Sequence, residues 1–279
     1  MHDDAVDAAV VDRTTGRPAM TGSAAVVAEP DVVALGTILG VWAHPDDEAY
    51  LSGGLMALAR DTGSRVMCVT ATRGELGTSD PQIWPPHRLA AERTGELARC
   101  LEILGVTEHH WLGYRDGQCM AIHPPDVVAQ LCDVIGRVRP DTVLTFGPDG
   151  ITGHPDHQAV SAWTAAAFDR AASTGARLLH AAVAQRRAQR WSALNESLGI
   201  FPPGYPITSP DERLAVDLVL SPHTAARKVR ALAAQATQTA GLIAAMGVDC
   251  YTAWVGDESF VDPSLQPDRY RTATGSPMI

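Results

Sequence analysis

No apolar run in this sequence approaches the ~20 residues needed to cross a bilayer, so nothing in it reads as a membrane anchor. Its first residues, Met1-His2-Asp3-Asp4, are acidic, whereas a secretory signal begins basic and turns apolar. The expectation is a cytoplasmic protein with no membrane partner. Paired cysteines are also missing. Cys68, Cys100, Cys119, Cys132 and Cys250 are odd in number and widely spaced, which suits neither a disulfide framework nor a thiolate zinc site, so they read as free, structural thiols. Basic residues are scarce: 22 Lys and Arg against 32 Asp and Glu leave a formal charge of −10. Phosphate backbones are held by clustered Lys and Arg, so nucleic acid is excluded as a partner. There is no internal repeat, and assembly into a homo-oligomer is left open.

What is present is the composition of a soluble globular protein, 46% hydrophobic and 19% charged, in a chain of 279 residues that can bury one full core. Residues 1–34 show neither helical nor alternating period and read as a loosely ordered leader; residues 35–279 read as a single domain. Within it, apolar runs at 37–43, 65–70, 110–112 and 142–146 suit buried strands. Between them, 49–60, 86–104 and 125–138 carry apolar residues at helical spacing. Alternation of this kind predicts an α/β fold, a mostly parallel sheet with helices on both faces. After residue 174 the rhythm weakens. Residues 177–183 suit strand or helix, 195–210 hold four prolines and read as a loop bordering a site, 214–220 suit a strand, and 225–246 suit one Ala-rich helix.

In an open parallel sheet, ligands collect beyond the carboxyl ends of the strands. Two His-containing segments fall there: Ala43-His44-Pro45-Asp46-Asp47-Glu48 after the first strand and Gly153-His154-Pro155-Asp156-His157 after the fourth. His44 and Asp47, three residues apart across a turn entering a helix, are spaced to grip one cation, and His157 supplies a third donor. Two His and one Asp leave a position open for water, the ligand count of a catalytic Zn2+ site. A single His-Pro-Asp at a helix start more often serves as a cap; two at strand ends of one sheet, with carboxylates and an imidazole to spare, point to chemistry instead.

The pairing of AHPDDE with a downstream HPDH resembles the PIG-L or LmbE-like N-acetylglucosaminyl deacetylases. Arg73-Gly74-Glu75, Leu112-Gly113-Tyr114-Arg115-Asp116, residues 228–238 and Glu258-Ser259-Phe260 extend the likeness over residues 37–262. The resemblance implies a Rossmann-like α/β fold and zinc-dependent hydrolysis of an N-acetyl or related N-acyl group on a small sugar-like substrate such as an N-acetylglucosaminyl conjugate. Carried over by position, His44, Asp47 and His157 would bind zinc, Asp46 would be the general base, and His154 would stabilise the oxyanion or act as acid. Asp156 would orient His154 from behind, and Arg73 and Asp116 would contact substrate hydroxyls.

The chain departs from that pattern twice. Thr152 stands where some members have a carbonyl-polarising Tyr, and Gln235 where the late helix often has His. His87, His109, His110, His123, His180 and His223 lack partners at ligand spacing and are assigned no metal role. Two readings compete. Two His and a carboxylate also suit a non-haem Fe(II) oxygenase, although those usually sit on a β-barrel. A non-catalytic sugar- or nucleotide-binding domain is the other, but His-Pro-Asp-Asp occupies the turn where a dinucleotide fold has its glycines, and Gly53-Gly54 falls a turn too late.

Overall fold

The computed structural model describes residues 29–265. Its centre is an 8-stranded sheet whose inner strands are apolar on both faces because helices cover both. β1 (Ile38–Trp42) and β4 (Thr142–Phe146) lie side by side and parallel, and every residue in both is buried. From β1 the chain steps outward through helix α1 (Asp47–Asp61), strand β2 (Val66–Thr70), helix α2 (Pro86–Leu104) and strand β3 (Glu108–Trp111). It then returns through α3 (Pro124–Val138) to β4, on the other side of β1. β1 and β4 therefore flank the point where the strand order reverses, the place at which a doubly wound sheet opens a crevice.

Beyond β4 come a short helical turn α4 (Gly150–Gly153), the long helix α5 (Pro155–Ala171) and strand β5 (Arg177–Ala184), which pairs parallel with β4. The segment that suited strand or helix is thus a strand, decided by an open edge on β4. Helix α6 (Gln185–Leu198), with no buried residue, leads into the proline-rich loop and the two-residue strand β6 (Thr208–Ser209). β7 (Val216–Val219) and β8 (Asp257–Val261) close the sheet antiparallel, giving the order β3-β2-β1-β4-β5-β8-β7, with β6 on β5.

The Ala-rich stretch expected as one helix is two. α7 (Pro222–Ala233) and α8 (Ala236–Met246) are broken at Gln235, whose backbone leaves the helical region (φ −100, ψ 49). A buried carboxylate wins over helix continuity: Gln235 Nε2 donates to Glu48 Oε1 at 2.7 Å. A short helix α9 (Val248–Trp254) follows, unforeseen in the sequence. α1, α2 and α7 pack together, as do α3 and α5.

The core begins before Leu35. Val32, in the turn Glu29–Leu35, is fully buried, so the end of the expected leader belongs to the folded body; residues 1–28 lie outside the described residues. Among the described residues no helix is long and apolar enough to cross a membrane. Cys68, Cys100 and Cys119 are free and buried, in keeping with structural thiols.

Candidate active site

Both motifs leave their strands through strained backbone. Asp46 has φ 100 and Ile151 has φ 64, a conformation that a β-branched residue rarely adopts. Strain of this kind persists only where surrounding contacts over-determine it. At Asp46 those contacts are the Glu48 carboxylate, which accepts its N–H at 3.0 Å, and Arg93, which donates to Pro45 O and lies 3.4 Å from Asp46 Oδ2. Asp46 precedes helix α1 but its side chain makes no capping bond, so the bland reading of this carboxylate as a cap fails.

His44, Asp47 and His157 converge. His44 Nδ1 is 3.2 Å from His157 Nε2 and 3.6 Å from Asp47 Oδ2, and His157 Nε2 is 3.4 Å from Asp47 Oδ1. A tetrahedral ion bound at ~2.0–2.2 Å sets its donor atoms ~3.2–3.6 Å apart, so each pair has the separation of two donors on one such ion, with Asp47 offering a different oxygen to each ring. His157 is prepared for the role. Its Nδ1 faces Gly150 O at 2.9 Å, which leaves the Nε2 lone pair free; its ring stacks on Phe146 at 4.2 Å; and burial, with His44 beside it, pushes its pKa down to about 4, keeping it neutral. Gly150 is required there (φ 68), because a Cβ would lie 2.9 Å from that of His157.

The far side of the His44 ring is held equally firmly. Nε2 lies 3.1 Å from Asp116 Oδ1 and 3.3 Å from Asp156 Oδ2. Burial opposes protonation of His44, but Asp116, Asp156 and Asp47 outweigh it and raise its pKa to about 10. Four carboxylates (Asp46, Asp47, Asp116, Asp156) thus face a protonated His44 and one permanent cation, Arg93, and the surplus negative charge that remains is what a divalent ion, displacing the His44 proton, would neutralise. Donor spacing, a neutral His157 and net negative charge all fit a metal. Two further groupings, His44 with His154 and His157, and His44 with Asp116 and Asp156, are compact enough to hold one as well.

Asp156 is placed differently from expectation. Its carboxylate does not reach behind His154; it accepts from Gly117 N at 2.7 Å and Cys119 N at 3.0 Å and backs His44. Those two N–H groups anchor it; burial pushes its pKa up, but the His44 ring, followed by the two N–H groups, keeps it below the usual carboxylate value. Nor is Asp156 the helix cap. His154 fills that place, its Nδ1 accepting from Asp156 N at 3.2 Å, which directs Nε2 outward. His154 is exposed at the cleft, its ring 4.9 Å from that of His44 and 5.0 Å from that of His157; burial and the neighbouring imidazoles lower its pKa.

The cleft over this cluster has a volume of about 460 Å³, within the ~300–1,000 Å³ of small-molecule sites. Asp116 lines it as expected, accepting from Leu76 N at 2.8 Å; burial would raise its pKa, but His44 holds it down to about 2. Arg73 does not. Its guanidinium lies 4.4 Å over the Trp111 ring and donates to Thr94 Oγ1 at 2.6 Å, because an aromatic face and a hydroxyl compete for it outside the cleft. The arginine in the cleft is Arg93, buried, bonded to Gly74 O and Pro45 O. Gly74 (φ 63) is needed because a Cβ there would strike the Arg93 guanidinium.

Sequence reasoning missed Arg93, though a signal existed: it interrupts the apolar stripe Leu89, Leu97, Leu101 at helical spacing, and an arginine on a buried face needs partners. Tyr50, which also lines the cleft, carries no motif that singles it out, whereas Gln238, lining it too, ends the segment 228–238 that the family likeness includes. Asp46 is raised to about 6 by burial, with Arg93 pulling the other way, which suits a proton acceptor working near neutrality. Glu48, fully buried behind it, is raised to about 8 by burial and by the neighbouring Asp46.

Comparison with known proteins agrees with this geometry. A family model described as PIG-L, GlcNAc-PI de-N-acetylase, matches residues 39–168. The 1D-myo-inositol 2-acetamido-2-deoxy-alpha-D-glucopyranoside deacetylase of Kineococcus radiotolerans is 39% identical over 168 residues, which cover 50% of this chain and 46% of that protein. The match thus spans about half the length of that relative. The enzyme of the same name from Salinispora arenicola is 33% identical over 261 residues, covering 78% of this chain and 85% of that one. In fold, the chain is similar to N,N'-diacetylchitobiose deacetylase from Pyrococcus horikoshii, with a TM-score of 0.56 and 22% identity over 82% of this chain and 84% of that one. Both His-containing motifs fall inside the matched segment, and the chain belongs to the PIG-L family of de-N-acetylases.

Proposed function

We propose that this protein is a cytoplasmic, zinc-dependent hydrolase that removes an N-acetyl group from a small sugar-like substrate of the N-acetylglucosaminyl class. The observation that carries this reading is the convergence of His44 Nδ1, His157 Nε2 and the Asp47 carboxylate within 3.6 Å of one another, beside a carboxylate bound to none of them. His44, Asp47 and His157 would hold the ion. Zinc in such a donor set lowers the pKa of a water from ~15.7 to ~7 and polarises a carbonyl. Asp46, raised to about 6 and beside the donors, accepts the proton of the attacking water. His154, exposed at the cleft with Nε2 directed outward, faces the developing oxyanion or returns a proton to the departing amine. Asp116 and Asp156 act through His44, holding its Nε2 side so that Nδ1, on the side of Asp47 and His157, would be left to the ion. Asp116 also borders the cleft and is free to accept from a substrate hydroxyl.

The oxygenase reading loses its support, since the donors stand on a parallel sheet and not in a β-barrel. The test is a mass-spectrometric screen of the zinc-loaded protein against N-acetylated sugars and glycosides. Loss of an acetyl group from a sugar amide, abolished by chelation and restored by zinc, is the expected result. Turnover that survives complete metal removal, or none across the panel, overturns the proposal.

A further inference from the structure

Tyr50 lies one helical turn after Asp46 and Asp47 on α1, so its side chain reaches the same cleft as theirs. The ring is locked from behind. It meets Trp254 edge-to-face, with ring centroids 6.1 Å apart and planes at 78°, and its hydroxyl is 3.0 Å from that of Tyr251. Trp254 is itself fixed, its Nε1 donating to Asn195 Oδ1 at 3.0 Å, and the Tyr50 carbonyl accepts from Lys228 Nζ at 2.8 Å.

The two hydroxyls share one hydrogen bond but carry two protons. Tyr251 is fully buried, and a spare O–H there would be left unsatisfied at a cost. Tyr251 therefore donates, and the proton left over belongs to Tyr50, the one of the two residues that lines the cleft. Burial holds this phenol in its protonated form. The same cleft is lined by a carboxylate acceptor, Asp116, and by the Gln238 amide, whose Nε2 is taken by Gly77 O.

An aromatic face beside an unspent donor, with acceptors nearby, matches a pyranose: apolar C–H bonds on the ring face, hydroxyls on the rim. We infer that Tyr50 is a substrate-binding residue that selects ring-bearing, hydroxyl-rich N-acyl substrates, its ring packing on the sugar and its O–H donating to a sugar hydroxyl. This rests on the deacetylase reading above. It adds the recognition of the sugar to that of the amide and assigns part of it to the late helix α9, which orients Tyr50 without touching substrate.

The test uses the zinc-loaded full chain and steady-state kinetics on N-acetylglucosamine and its monodeoxy analogues, with wild type, Tyr50→Phe and Tyr50→Ala, and a melting temperature for each. Tyr50→Phe keeps the ring and removes both bonds of its hydroxyl, the one accepted from Tyr251 and the one donated to the sugar; the first loss lowers the melting temperature, and the second is expected to raise KM about 3- to 10-fold with kcat nearly unchanged. The analogue lacking the hydroxyl that Tyr50 holds should show the same KM in both proteins. Tyr50→Ala, if folded, should raise KM about tenfold further through loss of the ring contact. A residue that merely packs α1 against α9 would lower the melting temperature and leave the KM pattern alone. Unchanged KM for Tyr50→Phe, or an equal rise on every analogue, overturns the inference while the deacetylase reading stands. No turnover by the wild type on any sugar amide overturns both.

Discussion

The two halves of the chain build one cleft in different ways. In the first, through α5, the reacting groups sit within a few residues of two strand ends, and the local chain path alone delivers them: β1 into His44, Asp46 and Asp47, β4 into His154 and His157. In the second, from α6 onward, no residue carries an obvious chemical role. Its contribution is to brace the first half from a distance. Gln235 reaches Glu48, Thr237 donates to Glu96, and Lys228 and Glu258 clamp α1. The lesson is a division of labour in which damage to the first half should cost chemistry and damage to the second should cost stability.

The sharpest way to break that comparison is at the adjacent carboxylates. Asp47→Ala removes one of the three proposed donors, and a protein purified with zinc is expected to lose the metal and with it all turnover. Asp46→Asn keeps the shape but not the base. Its zinc content by elemental analysis should match wild type while kcat falls about 10²-fold or more, with KM moving much less. An Asp46→Asn protein that loses its metal while Asp47→Ala retains it would reverse the assignment of base and ligand.

In the second half the corresponding probe is Lys228→Met. Lys228 Nζ and Glu258 Oε1 are 2.7 Å apart, both side chains fully buried, and Glu258 also accepts from Gly54 N and Leu55 N in α1. Removing the lysine strands a buried carboxylate, at about 3–5 kcal/mol. At roughly 2–4 °C per kcal/mol, a melting temperature lowered by about 10 °C is expected, with zinc content preserved. A variant as stable as wild type, yet stripped of zinc, would erase the division between the halves.

The smallest effect concerns acid. His180, on β5 where the two halves meet, is buried, and that burial lowers its pKa to about 4. In the unfolded chain it takes up a proton near the ordinary value of ~6.5, before the folded chain does. Its stabilising contribution is therefore present above pH ~6.5 and is lost as the pH falls from there towards 4, by up to about 3 kcal/mol. His180→Asn should flatten the dependence of unfolding free energy on pH across that window, measured by urea denaturation. An unaltered slope would show that other groups set the acid limit.

The sequence by itself determined the α/β class, the first four strands to within two residues, the helix at 86–104 and the convergence of both motifs on one end of the sheet. It could do so because those features are local. Buried parallel strands write themselves as apolar runs, and a switch-point site needs only short segments following strands. Where long-range partners compete with local preference, the residues gave no such notice. Arg73 is claimed by Trp111 and Thr94, Asp156 by two backbone N–H groups from the loop after β3, and Gln235 by Glu48, 187 positions away in the chain. Each of those side chains had more than one affordable partner in sequence terms. Only the packing of distant elements, through burial that forbids an unsatisfied polar group, decided which partner it took.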